Sequence, residues 1–466
     1  MPRIAGRPSR ALEELAMPCR LHVDLCRQGV RYEPLVKDGE RVAFGQAIGR
    51  AEAAGGTLVL PAPGAGEVFL ERGADGRPER VVMETEPMER PAGDRKVCRP
   101  DAMTPEMIRD ALIEKGIWGC FRSSVTGGAP AAEPLERPRA IIVTGVLAEP
   151  FRAAGDVVLQ RWIDTIVLGL EALPRLMGPD GTVTLVLGAG ESAAAAQLCG
   201  RVAGQARLCI ERVAARYPIE NPVLLRRLLR RDDPSIARDD AVWVTDLQGV
   251  AAVGACRNEG LPLYQRVIAL GGPGLANPRH VLARIGTPLD ALLHDTGGAA
   301  EGLCVLRGGL LRGDRVDPRQ TAVGYDDDAF FFMPAEPERE FLSFVRPGVD
   351  RTSILPCFLT TLTRGEDAQV CPRLRGEPRA CVSCGLCEAV CPAGLMPQVL
   401  HRSLFQGEKD EADAAGLGLC VECGLCTFVC PCKIELEQQF VLAREELRRE
   451  KAEAAGTAGG GAGPTA

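Results

Sequence analysis

The sequence has no apolar run long enough to cross a membrane as a helix. Such a helix needs about 18 or more consecutive apolar residues, so the pattern excludes a membrane-spanning helix. The segment Met1–Leu25 also lacks the apolar core of a secretory signal, because charges interrupt it at Arg7, Arg10, Glu13, Glu14 and Arg20. We therefore expect the chain to stay on the cytoplasmic side of the membrane.

A surplus of positive charge is missing as well. The chain has 55 Lys and Arg against 62 Asp and Glu, a net charge of -7, and the two signs are interspersed. Surfaces that bind nucleic acid are strongly basic. We therefore expect no nucleic acid among the partners.

Cysteine, by contrast, is abundant, with 19 residues in the chain. Because the cytosol keeps thiols reduced, these cysteines do not indicate a disulfide framework. Eight of them lie in two similar runs, CVSCGLCEAVCP and CVECGLCTFVCP, whose first cysteines are 39 residues apart. Others, such as Cys199, Cys209 and Cys256, lie in apolar or mixed segments, where a cysteine is usually a small buried hydrophobic residue.

Both runs have the spacing C-x2-C-x2-C-x3-C-P, which is typical of ferredoxins with two clusters. Three cysteines on a tight turn reach one cluster, and the fourth is carried away by the following helix to ligate the other. We therefore predict two 4Fe-4S clusters with interleaved ligands. Cluster 1 takes Cys381, Cys384, Cys387 and Cys430, and cluster 2 takes Cys420, Cys423, Cys426 and Cys391.

The alternatives to iron-sulfur clusters are structural zinc and plain core cysteine. A zinc site uses four ligands, typically in two C-x2-C pairs, and does not need eight in this doubled spacing. Cys432 is extra to the spacing, and we interpret it as a bystander. Two neighbouring clusters would carry single electrons between two other redox sites.

The front of the chain has the rhythm of a lipoyl-like barrel-sandwich hybrid. Val36–Gly49 and Leu60–Val68 alternate strand residues with Asp-Gly and Pro-Gly turns. In carrier proteins this module presents a modified lysine on a hairpin. The corresponding stretch here, AEAAGGT, has no lysine, so we predict a structural or docking role.

The middle of the chain alternates apolar runs with helical stretches, as in an α/β domain with a largely parallel sheet. The Gly188-Ala189-Gly190 turn lacks the third glycine of the dinucleotide fingerprint, because Ala193 takes its place. We interpret it as a turn only. The predicted strands are AIIVTGV, TVTLVLGAG and AVWVTDL.

A small β-grasp-like module is predicted next, at Leu261–Leu293. Its pattern is strand, glycine turn, strand and helix, with Thr287 as the N-cap and Pro288 as the first helical residue. His280 and His294 lie beside charged residues and are interpreted as surface residues.

Along nearly all its length the chain resembles two related families. One is NqrA of the sodium-translocating NADH:quinone reductase (Nqr), which the chain resembles in GIWGCFR, AIIVTGVLAEP, YQRVIALGGP and LCTFVCPCKIE. The other is RnfC of the Rnf electron-transport complex, which it resembles in RYPIENPVLLRRLL, IGTPLDALL and the paired cysteine runs. The resemblance implies a hybrid of the two, assembled on a membrane partner.

Together the patterns and the resemblance predict a multi-domain α/β and β chain. The domains are a barrel-sandwich hybrid at 1–100, a flavin-domain-like, Rossmann-like α/β domain at 101–255, a β-grasp module of the soluble-ligand-binding (SLBB-like) type at 256–345, a helical two-cluster ferredoxin domain at 346–450 and a disordered tail at 451–466. The last helix should place Leu436, Phe440 and Leu447 on one apolar stripe.

One departure from RnfC concerns its glycine-rich loop for FMN and NADH. The place of that loop is taken here by the segment Gly116–Arg122. Phosphates need exposed glycine amides, and bulky Trp118 and Phe121 disfavour FMN and NADH there. Gly116, Gly119 and Arg122 remain candidates for the vicinity of a flavin or of a quinone.

The predicted function is that of a peripheral electron-transfer subunit of an Nqr/Rnf-type respiratory complex. It would pass electrons between a soluble donor or acceptor, such as a dehydrogenase partner or a ferredoxin, and flavin or quinone chemistry in membrane subunits. One alternative is an FMN-dependent NADH dehydrogenase that acts on its own, as in cobalamin reductases. Another is a scaffold whose clusters are structural. Arg122 and Arg266 are interpreted mainly as surface or packing residues.

Overall fold

A computed structural model of the chain describes residues 5–53, 56–86, 103–190, 192–237, 239–293, 302–334 and 379–458. The chain forms two compact units, of which one spans Ala5–Ala335 and the other combines Met1–Ile4 with Glu336–Ala466. The larger unit is a mixed α/β structure with several sheets, and the described part of the smaller unit is helical. His294 lies outside the described residues.

The larger unit begins with short strands. Two antiparallel sheets, in the orders β2-β10-β9-β6 and β5-β7-β8, contribute to one core. Leu21 and Val23 of β2 and Val81 and Met83 of β10 are buried, because alternate residues of a strand point to the same face. The strands are β1 (Leu12–Glu14), β2 (Arg20–Asp24), β3 (Cys26–Arg27), β4 (Val30–Arg31), β5 (Glu33–Pro34), β6 (Glu40–Val42), β7 (Ala47–Ala53), β8 (Gly56–Pro61), β9 (Gly66–Arg72) and β10 (Pro78–Thr85).

An α/β layer follows, in which β12, β13, β14 and β15 are parallel and β11 is antiparallel, in the order β11-β15-β12-β13-β14. Every residue of β12 is buried, as expected for a parallel strand covered on both faces. The three predicted apolar runs form β12, β13 and β15. The elements are α1 (Pro105–Glu114), β11 (Arg122–Ser123), β12 (Ala140–Thr144), α2 (Gly155–Ala172), β13 (Thr182–Gly188), α3 (Ala193–Val202), β14 (Leu208–Val213), α4 (Pro222–Asp232), β15 (Val242–Asp246) and α5 (Leu247–Glu259).

Helices α2 and α5 cross at two glycines. A Cβ atom on Gly254 would lie 1.8 Å from the carbonyl oxygen of Thr165, and one on Gly169 would lie 2.2 Å from the carbonyl oxygen of Val250. Only glycine permits backbones to approach this closely. The two helices therefore pack backbone to backbone.

The last sheet of the unit has the order β1-β17-β16-β20-β18-β19. Strand β1 pairs in parallel with β17, so that Leu12 lies opposite His280, a pairing that the sequence did not predict. Thr287 does not cap the predicted helix, because its buried hydroxyl has no hydrogen-bond partner in the described residues. The elements are β16 (Gln265–Gly271), β17 (Arg279–Arg284), α6 (Leu289–Leu293), β18 (Leu303–Arg307), β19 (Asp314–Val316) and β20 (Ala329–Pro334).

His280 is buried, so the prediction of a surface histidine is wrong. The Ala154 amide donates to its Nε2 at 3.0 Å, and its Nδ1 lies 2.6 Å from the carbonyl oxygen of Ser9. Nδ1 must therefore carry the proton of a neutral ring. Burial lowers the pKa of His280 below its ordinary value, and a second proton would break the bond from Ala154.

We expect acid to destabilise the larger unit through His280. Because its pKa is lower in the folded chain, the unfolded chain binds the extra proton. The contribution of neutral His280 to the free energy of unfolding is then complete above about pH 6.5, and it is lost as the pH falls through the pKa of His280 in the folded chain. The measurement is the urea midpoint by tryptophan fluorescence between about pH 7.5 and about pH 5, since Trp118, Trp162 and Trp243 all lie in this unit.

In His280→Gln the midpoint should fall less with acid than in the parent chain. His401→Gln, a change in the other unit, should keep the full fall. An undiminished fall in His280→Gln would contradict the assignment.

Three consecutive aspartates, Asp326 to Asp328, form ion pairs with separate parts of the larger unit. Each accepts hydrogen bonds from a different arginine: one on β3, one at the end of β18 and one in the loop after β12. The pairs are Asp326 with Arg27 at 2.7 Å, Asp327 with Arg307 at 2.7 Å and Asp328 with Arg152 at 2.6 Å.

The smaller unit is helical in its described part. Leu436, Phe440 and Leu447 are buried together, which confirms the predicted apolar stripe. None of the helices that the structure describes combines the length and apolar character needed to cross a bilayer. The helices are α7 (Leu386–Ala389), α8 (Pro397–Phe405), α9 (Lys409–Ala414), α10 (Leu425–Val429) and α11 (Leu436–Ala458), and the last of them extends into the segment predicted as a tail.

Candidate metal centre

The two cysteine runs have the same backbone conformation. Ser383 and Glu422 both have φ of 52°, and Gly385 and Gly424 have φ of 74° and 70°. A positive φ is uncommon in a residue other than glycine, and successive amides in such turns form concave sites that bind anions and iron-sulfur clusters. Each run is thus shaped as a cradle of amide groups.

Within each cradle an amide points at the first sulfur. The Ser383 amide donates to Cys381 Sγ, and the Glu422 amide donates to Cys420 Sγ, both at 3.4 Å. A further amide, that of Leu395, donates to the Cys391 sulfur at 3.3 Å. Amide donors suit anionic sulfur, so this polarity fits thiolate ligands of a cluster.

The structure brings together the four cysteines predicted for cluster 1. Cys381, Cys384, Cys387 and Cys430 line one cavity, although Cys430 belongs to the second run. Cys432 lines the same cavity and is also buried. The rest of the wall is Val382, Gly385, Gln398, Pro431, Ile434 and Leu436.

The cysteines predicted for cluster 2 lie in more buried surroundings. Burial, with the nearby sulfurs of Cys420 and Cys423, raises the pKa of Cys426 to about 12. Burial likewise raises the pKa of Cys420 to about 11. Cys391, the predicted fourth ligand, packs with Cys420 and Cys426 against the core of the smaller unit.

A zinc ion is the alternative to a cluster at these cysteines. Nowhere in the described parts of the chain do three or more His, Cys, Asp or Glu side chains converge to hold one metal ion. A zinc site needs its sulfurs about 2.3 Å from one centre. The doubled ferredoxin spacing is therefore the ground for expecting 4Fe-4S clusters.

The segment Gly116–Arg122 packs into the core of the larger unit. Trp118 and Phe121 are fully buried and pack against Trp243 at ring centroid distances of 5.3 Å and 5.6 Å. They therefore belong to the core and do not stand over the loop, which corrects the prediction that they block the approach of a phosphate.

The two glycines of this segment contact the hairpin of β3 and β4. The Arg27 guanidinium donates to the carbonyl oxygen of Gly116 at 2.8 Å, and the Gln28 side chain donates to that of Gly119 at 3.1 Å. A Cβ atom on Gly119 would lie 2.8 Å from the Arg27 guanidinium. Arg122 donates to the Gln28 side chain. The β3-β4 hairpin thus occupies this face of the loop.

Comparison with known proteins bears on this arrangement. The pattern of the NqrA second alpha/beta domain matches residues 103–261, and that of the 4Fe-4S dicluster domain matches residues 380–434. NqrA from the Na(+)-translocating NADH-quinone reductase of Rhodopirellula baltica is 30% identical over 397 residues, which cover 84% of this chain and 83% of that protein. The chain belongs to the NqrA family.

Within the NqrA family the likeness is spread over most of the chain. NqrA of Pseudomonas aeruginosa (strain UCBPP-PA14) is 30% identical over 89% of each chain. A solved NAD+-reducing NiFe hydrogenase in the air-oxidized state is similar to 53% of this chain and 49% of its own, with a TM-score of 0.39 and 16% identity. The chain is a form of NqrA with a 4Fe-4S dicluster domain at its C-terminal end, as the sequence predicts.

Proposed function

We propose that the chain is a peripheral iron-sulfur subunit of an Nqr/Rnf-type ion-translocating oxidoreductase, of the NADH:quinone or NADH:ferredoxin kind, and relays electrons through two 4Fe-4S clusters. One observation carries the proposal: cysteines from both runs line a single cavity. Interleaving of this kind places two clusters side by side. Membership in the NqrA family and the dicluster match support the setting.

The chain's own residues hold and shield the clusters. Cys381, Cys384, Cys387 and Cys430 would ligate cluster 1, and Cys420, Cys423, Cys426 and Cys391 would ligate cluster 2. When bound, each cluster accepts and releases one electron. Cys381 and Cys384 of cluster 1 are exposed, whereas none of the four cysteines assigned to cluster 2 is exposed. Cluster 1 is therefore the one nearer the surface of the smaller unit.

The same proposal includes the finer layout of the chain. The predicted domains at 1–100, 101–255, 256–345 and 346–450 are kept as a barrel-sandwich hybrid, a Rossmann-like domain, an SLBB-like module and a ferredoxin domain. The antiparallel sheets, the parallel sheet and the match at residues 103–261 support this order.

Family membership supports a proposal about partners and location. The named relatives are subunits of a Na(+)-translocating NADH-quinone reductase. We infer membrane subunits as partners, a place on the cytoplasmic face of the bacterial inner membrane, coupling to sodium transport, and a quinone as the electron acceptor of the complex. FMN and NADH are not part of the proposal, because the segment Gly116–Arg122 lacks the glycine-rich loop that would bind their phosphates.

The test is an iron and sulfide count on anaerobically purified full-length chain, with absorbance spectra before and after NADH. We expect about eight irons per chain, no flavin band and no bleaching by NADH alone. Bound FMN with bleaching by NADH would show a dehydrogenase that acts on its own. Zinc in place of iron would contradict the relay.

A further inference from the structure

The two halves of the cluster domain repeat beyond the cysteines. Helices α8 and α11 begin at Pro397 and Leu436, which are separated by the same 39 residues as Cys381 and Cys420. The amides of Ser383 and Glu422, which donate to the first sulfur of each run, also correspond. The side chains around the third cysteine of each run, by contrast, differ between the halves.

In the first half that side chain is Gln398, the second residue of α8. Its Oε1 lies 3.4 Å from Cys387 Sγ, and its Nε2 donates to Glu388 Oε2 at 2.6 Å. In this arrangement the Cys387 thiol donates its proton to the amide oxygen. A cluster ligand is a thiolate, which has no proton and only accepts hydrogen bonds.

Once Cys387 ligates a cluster, its sulfur therefore needs a hydrogen-bond donor from Gln398 in place of an acceptor. The two ends of a side-chain amide have nearly the same shape, so a half-turn places Nε2 where Oε1 was. The half-turn gives up the bond from Nε2 to Glu388, whose exposed carboxylate turns to water, and supplies a donor to the sulfur at about the distance already present. A leucine or methionine of similar size would fill this space without a donor.

In the second half another residue supplies the hydrogen-bond donor to the third cysteine. The Thr427 side chain bonds to the Cys426 thiol. The amide of Glu437, the residue that corresponds to Gln398, donates to Thr427 Oγ1 at 2.8 Å, which leaves the hydroxyl proton for the sulfur. Gln398 thus serves one cluster only.

We propose that Gln398 donates an N–H bond to the Cys387 sulfur of cluster 1 and so raises the reduction potential of that cluster above the value it would have without this bond. Reduction adds negative charge to the cluster and its sulfurs, and a donor stabilises the reduced form more than the oxidised one. The proposal rests on the function proposed above. It makes Gln398 a positioning residue that sets one of the two potentials.

The experiment is a redox titration of the anaerobically purified full-length chain, monitored by electron paramagnetic resonance, in the parent and in Gln398→Leu. The Cys384→Ala chain identifies the cluster 1 signal by its loss. We expect the equilibrium constant for reducing cluster 1 to fall about tenfold in Gln398→Leu, a shift of about 59 mV to lower potential. The potential of cluster 2 should stay unchanged.

A matched control comes from Gln439, whose Oε1 pairs with His401 Nδ1 at 2.7 Å in the same unit. Gln439→Leu should leave both potentials unchanged. Gln398→Met repeats the test if the leucine variant binds less iron. A potential of cluster 1 equal to that of the parent in a fully loaded variant overturns the inference alone, as does an equal shift of both clusters. A parent chain without clusters overturns the proposed function and the inference together.

Discussion

Cys430→Ala should remove cluster 1, although Cys430 lies in the second run. The iron content should fall from about eight to about four per chain, and the remaining resonance should match that of Cys384→Ala. The reason is that Cys430 lines the same cavity as Cys381, Cys384 and Cys387. By the same logic Cys391→Ala should match Cys423→Ala.

The control for this series is Cys432→Ala. Cys432 is buried, lines the same cavity and lies two residues from Cys430, yet it stands outside the ferredoxin spacing. We expect it to keep about eight irons. If Cys430→Ala instead lost the resonance that Cys423→Ala loses, each run would hold its own cluster and the interleaving would be wrong.

Asp326→Asn should destabilise the larger unit by about 3 kcal/mol, because removing one partner of a buried ion pair leaves the other charge uncompensated. The Arg27 side chain is only 5% exposed, and its Nε and Nη2 donate to the two Asp326 oxygens at 2.9 Å and 2.7 Å. The Asp326 side chain is 33% exposed, so we take the lower end of the usual range. Urea unfolding followed by tryptophan fluorescence measures the loss.

An exposed pair provides the control for this change. Arg50 and Glu52 bond at 2.9 Å with both side chains more than half exposed, so Glu52→Gln should leave the urea midpoint unchanged. The double variant Arg27→Met/Asp326→Ala should recover part of the lost stability, because no buried charge remains unpaired. Equal midpoints for Asp326→Asn and the parent would show that the pair does not hold the unit together.

Local patterns in the sequence were enough to predict several elements. The apolar runs that became β12, β13 and β15 needed only their own residues, since buried parallel strands are continuously apolar. The stripe of Leu436, Phe440 and Leu447 followed from helical periodicity in the same way. Such elements depend on neighbours within one turn or one strand.

Contacts between residues that are distant in sequence could not be predicted from these patterns. The burial of His280 depends on Ser9 and Ala154, which are distant in sequence. Gly119 is small because Arg27 lies against it, and the sequence does not show that contact. A histidine or glycine has the same letter whether it serves a ligand or the core, so only packing separates the two roles.

In the candidate metal centre, too, local features could be predicted from the sequence and long-range contacts could not. The cysteines were predicted from spacing alone, because ligands within a run are held by one short turn. Gln398 was missed, since it reaches Cys387 only through the way α8 packs on the run. The corresponding residue of the other half, Glu437, acts through its backbone amide, so no repeated side chain in the sequence points to Gln398.

The parallel pairing of β1 with β17 has a consequence for synthesis on the ribosome. Leu12 is made roughly 270 residues before its partner His280. At about 5–20 residues per second this interval lasts on the order of 15 to 50 s. Over that time β1 has no β17 to pair with, so this sheet can be completed only after most of the larger unit has been synthesised.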